Sequence, residues 1–245
     1  MKWEDLTGPM IPVTYLLMLL IEHFIPARQF PPVRRWVWIG ALFTTILIGI
    51  NVALPLLLPI DWAQRHSLFP GSRLSEPIQI LLGFLVGTLV DFAYHRAEHG
   101  IHFLWRWSHQ VHHSAMRVDI SGAAYTSPVE ISVAVAYTAL SSVFILGLSP
   151  EAAEVAGFLM AFGSLFQHWN IRTPHWIGYL LQRPESHCLH HEYGIHARNY
   201  SIFPLWDAVF GYFHNPRDFF GLVGFDPDRA SRLWPMLAGR DVLSD

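Results

Sequence analysis

Charge-free apolar stretches alternate with short polar ones through the first two thirds of the chain. Residues 6–21 carry no charge, residues 36–60 form a longer apolar run opened by Trp36 and Trp38, and residues 77–90 continue through Asp91 towards His95. A fourth run covers 131–150 and a fifth 155–171, with Ser149, Pro150 and Glu151 forming the tight turn of a helical hairpin between them. A membrane-spanning helix needs about 20 predominantly apolar residues. The first span must therefore take in Glu22 and His23, and the third must turn Asp91 towards the bundle interior, where an ionisable group at membrane depth marks function. Pro55 and Pro59 are expected to break or kink the far end of the second span. Residues 61–76 read as a polar connector, and no further span is expected after Arg172.

Basic residues orient these spans. Arg28, Arg34 and Arg35 follow the first run, and arginines recur throughout the chain after residue 171. By the positive-inside rule, five crossings put the N-terminus outside, and put the Arg28–Arg35 loop, residues 95–117 and everything after His168 on the cytoplasmic side. The first residues, MKWEDL, lack the charged segment and small-residue cleavage site of a signal peptide, so no cleaved leader is expected.

Composition agrees with a bilayer as solvent. Hydrophobic residues make up 52% and charged residues 14%, with mean hydropathy +0.29, against about a quarter charged in ordinary soluble domains. Net charge is −3, and no basic patch with interleaved aromatics suggests a nucleic-acid partner. Cys188 is the one cysteine, which excludes an internal disulfide and cysteine-rich zinc modules. On a helix it would point about 100° away from its histidine neighbours, as a bystander.

The histidines change the picture most. Two fall in residues 1–94 and thirteen in 95–214. His95 and His99 are spaced i, i+4, on one helical face. His109, His112 and His113 are spaced i, i+3, i+4, which predicts three imidazoles pointing the same way, and His187, His190 and His191 repeat the pattern. With His168 these make nine candidate ligands, too many for one tetrahedral zinc and a natural number for two metals. An imidazole-rich set suits iron, copper or zinc and argues against magnesium or calcium. The same pattern could serve buried, hydrogen-bonded histidines, which is the better reading for His23, His66 or His214 alone.

Residues 95–99 (HRAEH) match the H-x-x-E-H pattern of some zinc proteases, but that reading leaves seven candidate ligands unexplained. No G-x-G-x-x-G, phosphate loop or G-x-S-x-G is present, so nucleotide binding and serine hydrolysis have no support.

The segments DFAYHRAEH, LWRWSHQVHHS, PVE, QHWN, PESHCLHH and NYSIFPLWDAVFG, in that order, resemble the fatty acid hydroxylase/sterol desaturase superfamily of integral-membrane non-haem di-iron oxygenases. The resemblance covers most of residues 88–215. It implies an all-α membrane bundle of four to five transmembrane helices with a cytoplasmic helical cap. The chain would be one domain over 1–245, with a hydroxylase core at about 78–215. The resemblance further implies two iron ions and O2 as cofactors, held by His95, His99, His109, His112, His113, His168, His187, His190 and His191. Asp91, Glu130, Asn199 and Asp207 match recurrent polar positions of the family. Asp91 and Asp207 are expected to orient imidazoles, although Asp207 suits a helix cap or surface pair as well.

Three departures concern substrate subgroup. The histidine many members carry before the glutamate is absent from residues 125–128 (YTSP), and the family's N-Y-G and F-G-T read N-Y-S and F-G-Y here. The resemblance also implies, for some hydroxylases, a tenth ligand near the lone histidine; His175 could serve, at a looser spacing.

The implied reaction is oxygen-dependent hydroxylation of an unactivated lipid C–H bond on a fatty acyl chain or a sterol-like molecule. Desaturation or methyl oxidation by the same superfamily is the alternative. Side-chain acid–base chemistry cannot reach such bonds, so metal must carry the step. Electrons would come from a separate protein, of ferredoxin or cytochrome b5 type with its reductase, since no flavin, haem or ferredoxin motif is present. The expected location is a bacterial inner membrane with the metal site facing the cytoplasm. From another class, a metal transporter or storage protein would use the same residue types, but a transporter places ligands along a path at mid-membrane.

Overall fold

The computed structural model describes residues 4–244. Residues 1–3 of the MKWEDL segment, on which the leader expectation falls, lie outside that range. Five long helices carry the architecture: α1 (Glu4–Phe24), α2 (Trp36–Ala53), α3 (Glu76–Gly100), α4 (Pro128–Ala139) and α5 (Pro150–His168). A wider π-helical turn, Leu140–Ile145, extends α4. Among the described residues the regular structure is helical, with one isolated bridge between Glu192 and Val223.

The helix starts follow local chemistry. Pro77, Pro128 and Pro150 stand in the first turns of α3, α4 and α5, where the missing N–H costs nothing. Ser127 Oγ accepts from Val129 N and Ser149 Oγ from Ala152 N, capping the last two. Pro55 ends α2 as expected, and a single 3-10 turn, Pro55–Leu57, follows it.

Close helix contact depends on glycine. A Cβ on Gly83 would lie 2.8 Å from Ala156 Cβ, and one on Gly87 2.6 Å from Met160 Sδ. The pairing 83 with 156 and 87 with 160 makes α3 and α5 parallel, both running towards the histidines. The end of α1 reaches the same place, where buried Glu22 accepts the backbone N–H of Ile120 (3.0 Å) and of Asn170 (2.8 Å). α2 starts there, with Trp36 Nε1 donating to Asp119 at 2.8 Å. α4 starts there too, and its π turn ends beside Leu68 and Phe69 at the opposite pole.

The surface of this bundle is apolar. Leu16, Leu17, Leu20, Trp38, Leu42, Val52 and Leu81 are all exposed, which suits lipid and not water. Among the described residues, three helical stretches are long and apolar enough to cross a membrane: Trp36–Leu57, Glu76–Gly100 and Pro128–Ile145. Five helices run in the directions that five crossings require, and among the described residues three of them reach that standard. The apolar part of α1 is the shorter Met10–Phe24, and α5 carries Glu151 and Glu154 near its start.

Short helices and loops cap the histidine end. Arg183, wholly buried, ties this cap together by donating to Thr173, Asn215 and Pro216 while pairing with Glu185 at 3.1 Å. It fixes the turn just before the helix Pro184–His190.

Candidate metal centre

Four parts of the chain deliver imidazoles to one place. The last turns of α3 carry His95 and His99. A π-helical turn, Trp105–His109, runs into the helix Gln110–Ser114 with His112 and His113. The third part is the helix Pro184–His190 with His191 at its end, and His168 closes α5.

All nine candidate histidines meet, and they divide into two groups. His95, His99, His109, His113 and His190 form one, and His112, His168, His187 and His191 the other, with each group's ligand atoms within 4.8 Å of one another. Each H-x-x-H-H segment therefore serves both groups, and the expected single direction for all three rings is corrected. Steps of three and four residues fall on opposite sides of a helical line, about −60° and +40° from it. The i, i+4 pairs 95/99, 109/113 and 187/191 stay together, while His112 and His190 cross to the neighbouring group. The groups touch through stacked rings, His113 on His191 at 4.2 Å between centroids and His187 on His190 at 5.3 Å.

In the five-imidazole group the outer nitrogens are held and the inner ones are bare. His95 Nδ1–H donates to the Tyr200 carbonyl (2.5 Å) and His190 Nδ1–H to the Arg198 carbonyl (2.7 Å). His109 Nδ1–H donates to Glu130 Oε1 at 3.0 Å, with Glu98 Oε2 at 3.5 Å. His113 Nδ1 lies 3.0 Å from His196 Nδ1. Nε2 of His95, His99, His109, His113 and His190 is buried with no hydrogen-bond partner.

In the four-imidazole group His112 and His168 donate through Nδ1 to the carbonyls of Tyr125 (3.3 Å) and Ser164 (2.7 Å). Gln182 faces His187 Nδ1 at 2.8 Å. The atom facing it is the amide nitrogen, and Gln182 Oε1 is buried without a partner; with the amide turned over, that oxygen would accept from Nδ1–H and leave His187 Nε2 unprotonated, as in its neighbours. The Nε2 atoms then confront one another, His112 to His168 at 3.2 Å, His168 to His187 at 2.9 Å and His187 to His191 at 3.0 Å.

Lone pairs facing one another in a dry interior are unfavourable, each unsatisfied buried group costing about 1–3 kcal/mol. Protonation is no remedy, because burial, followed by repulsion from neighbouring imidazoles, holds His109, His113, His187 and His191 well below the ordinary histidine range. A cation satisfies every one of them. Nitrogens 2.9–3.2 Å apart match neighbouring ligands that each stand ~2 Å from a shared ion. The donor set fits a pair of imidazole-binding transition metals.

The polar residues behave differently from one another. Glu130 supports His109 directly and also accepts the Thr126 hydroxyl. Asp207 takes the backbone N–H of Tyr200 (2.8 Å) and Ser201 (2.9 Å), so it reaches His95 only through the Tyr200 carbonyl. Burial pushes its carboxyl up to about 7. Asn199 clamps two segments, donating to Ser186 O and accepting from His214 N. Asp91, expected to orient His95, instead accepts the Tyr137 hydroxyl at 2.6 Å. One turn of α3 separates its carboxylate from the imidazole, and the tyrosine of α4 is nearer.

His175 stands outside both groups, with Nε2–H donating to the Asn215 carbonyl at 3.0 Å. His102 is exposed and pairs with Asp241. Cys188 is buried in an apolar cluster with Val118, Phe219 and Val223, where desolvation pushes its thiol up to about 12.

Two site residues were not foreseen as such. Glu98, 2% exposed, completes a group with His109 and Glu130; its only sequence signal was the HRAEH string. His196 sits on a strained turn in which His196, Arg198 and Asn199 all have positive φ (45°, 70° and 48°). That turn aims the Arg198 carbonyl at His190.

Below the histidines a cavity of about 500 Å³ runs down the bundle between α3, α4 and α5. His95, His109, His112, His168 and His187 border its upper end.

A model of the fatty acid hydroxylase family matches residues 80–212, a stretch that contains all nine histidines. No curated protein and no solved structure matches the chain.

Proposed function

The chain belongs to the fatty acid hydroxylase family, and from that premise we propose that it is a membrane-bound, O2-dependent oxidoreductase that hydroxylates an unactivated C–H bond of a lipid. The observation that carries the reading is the opening of one cavity onto both imidazole groups. Two irons held by the nine histidines would supply oxygen activation and attack on the C–H bond. A five-nitrogen group exceeds the four ligands zinc prefers, which favours iron.

The chain's own residues prepare that chemistry. Glu130 fixes the tautomer of His109, so that Nε2 faces inward. Asp207 holds the Tyr200 loop, whose carbonyl does the same for His95. The bundle wall, built from residues such as Ile131, Ala134, Val135 and Ala161, excludes water and presents apolar surface to an alkyl chain. Electrons would arrive from a separate donor protein docking at the capped end. The arginines Arg28, Arg34 and Arg35 stand at that same end, which favours a cytoplasm-facing site in a bacterial inner membrane.

The test is expression in a lipid-defined host, with lipid masses compared between wild type and His112→Ala. Gain of one oxygen in the wild type alone supports hydroxylation. Loss of two hydrogens instead identifies a desaturase of the same superfamily. Unchanged lipids together with metal flux across protein-loaded vesicles would overturn the enzyme reading in favour of a transporter.

A further inference from the structure

Glycine inside a helix is disfavoured by about 1 kcal/mol relative to alanine and asks for a reason. Close packing supplies one at Gly83 and Gly87, and at Gly163, where a Cβ would stand 3.2 Å from Ile202. Gly157, in the middle of α5, is different: a Cβ there would meet nothing within 4 Å. The space it leaves open is the cavity, whose lining includes it.

Its position along the cavity is informative. Gly157, Ala161, Ser164 and His168 follow one another at steps of four, three and four, so they share one face of α5. Eleven residues separate Gly157 from His168, ~16 Å along the helix at ~1.5 Å per residue. The opposite wall is also of small or slim residues, Ala134, Val135 and Thr138. The cavity reaches one turn further, to Ala153, and a volume of 500 Å³ spread over ~22 Å leaves a bore of roughly 20 Å², narrow and one helix face wide.

The two ends of this bore differ. At the histidine end Glu98 Oε1 and Gln167 Oε1 are buried without a hydrogen-bond partner, and both residues line the cavity. At the far end the lining is Ile11, Leu47, Pro55 and Ala153, and none of the polar side chains there, Asn51, Ser142 and Glu154, has a buried atom without a hydrogen-bond partner.

From this asymmetry we infer that the cavity takes a single-chain lipid with its hydrogen-bond-donating head beside the histidines, and that the open space at Gly157 lets the chain pass on to the far end, so that filling it shortens the longest chain accepted. The inference rests on the lipid oxygenase reading and names the substrate class for that site: one unbranched alkyl chain whose polar head carries a hydroxyl or amide donor. The attacked carbon then lies near the head, not at the methyl end.

Detergent-purified protein is equilibrated with a ladder of saturated primary alcohols, and retained ligand is read by native mass spectrometry. Wild type is expected to retain chains up to a cut-off length and to prefer an alcohol over the alkane of equal length. Gly157→Phe should shift the cut-off to shorter chains, and Gly157→Ala, which adds one methyl into open space, should shift it less. Gly49 serves as the control, since a Cβ there also meets nothing but the residue is exposed on α2 and does not line the cavity; Gly49→Phe should leave the cut-off where it was. An unmoved cut-off in both Gly157 variants overturns the chain-length assignment, and equal retention of alcohol and alkane overturns the orientation. Failure of wild type to retain any chain overturns the inference as a whole. In each case the lipid-mass comparison with His112→Ala judges the oxygenase reading independently.

Discussion

The two imidazole groups are built from the same two H-x-x-H-H segments, yet different things stand behind them. The five-imidazole group has carboxylates in its outer ring, Glu130 at 3.0 Å and Glu98 at 3.5 Å from His109 Nδ1. The four-imidazole group is held by neutral partners, the carbonyls of Tyr125 and Ser164 and the amide of Gln182. A carboxylate behind an imidazole raises its basicity and fixes its tautomer more firmly than a carbonyl does. The five-imidazole group should therefore hold its metal more tightly, while the neutral group exchanges its metal more readily. The interlock also means that neither group is independent, because each segment orders rings for both.

The largest effect comes from breaking one group at a time. His113→Ala and His191→Ala remove rings that stack on each other across the boundary. Each is expected to lower bound iron to one group's share and to abolish lipid oxidation, a loss beyond the ~100-fold seen when outer partners are removed. Elemental analysis of purified protein reads the metal and lipid masses read the activity. Full metal retention in both variants would remove these rings from the ligand set.

A smaller effect sharpens the contrast. Glu130→Gln keeps the shape and removes the charge behind His109, and should weaken metal binding in the five-imidazole group by about 10–100-fold. Gln182→Glu adds a charge behind His187 and should tighten the other group. A chelator titration that finds two affinities converging in either variant supports the asymmetry. Parallel shifts of both affinities would count against it.

Acid should act on both groups together. Burial depresses His109, His112, His113, His187, His190 and His191 in the folded protein. Above the ordinary imidazole value of about 6.5 both folded and unfolded chains hold them neutral, and these histidines add no pH dependence to stability. Below it the unfolded chain binds protons that the folded chain refuses, so stability falls as pH falls. The metal-free protein should lose melting temperature steadily from about pH 6.5 to pH 5, and added iron should oppose the loss. A flat profile would mean that the cluster protonates in place.

What could be read from the chain alone followed from periodicity. The i, i+4 pairs, the direction of the five helices and the meeting of His168 with the late segment all follow from spacing and span order. The division of each H-x-x-H-H segment did not, because an i+3 ring and an i+4 ring look equivalent until two centres compete for them. Glu98 was hidden for a related reason: a carboxylate between two ligands on α3 has no periodic signature, and only the approach of His109 from the connecting segment gives it a partner. The supporting role of Asp207 passes through a backbone carbonyl, and such a route leaves no trace in side-chain order. Asp91 shows the converse, since its position one turn from His95 suggested contact while Tyr137, on a different helix, takes the bond.

The smallest expected effects lie at the histidines outside both groups, and they bound the comparison. His102 pairs with Asp241 at 2.8 Å on an exposed surface, a contact worth about 0–1 kcal/mol. His175 donates one hydrogen bond to the Asn215 carbonyl, worth about 0.5–1.5 kcal/mol, in the loop region that Arg183 also braces. His102→Ala should leave melting temperature, bound iron and oxidised lipid unchanged. His175→Ala should lower the melting temperature by a few degrees and leave iron content as it was. If iron falls in His175→Ala, the cap rearranges when metal binds and brings a tenth imidazole inward. The five-to-four division would then describe the metal-free protein alone.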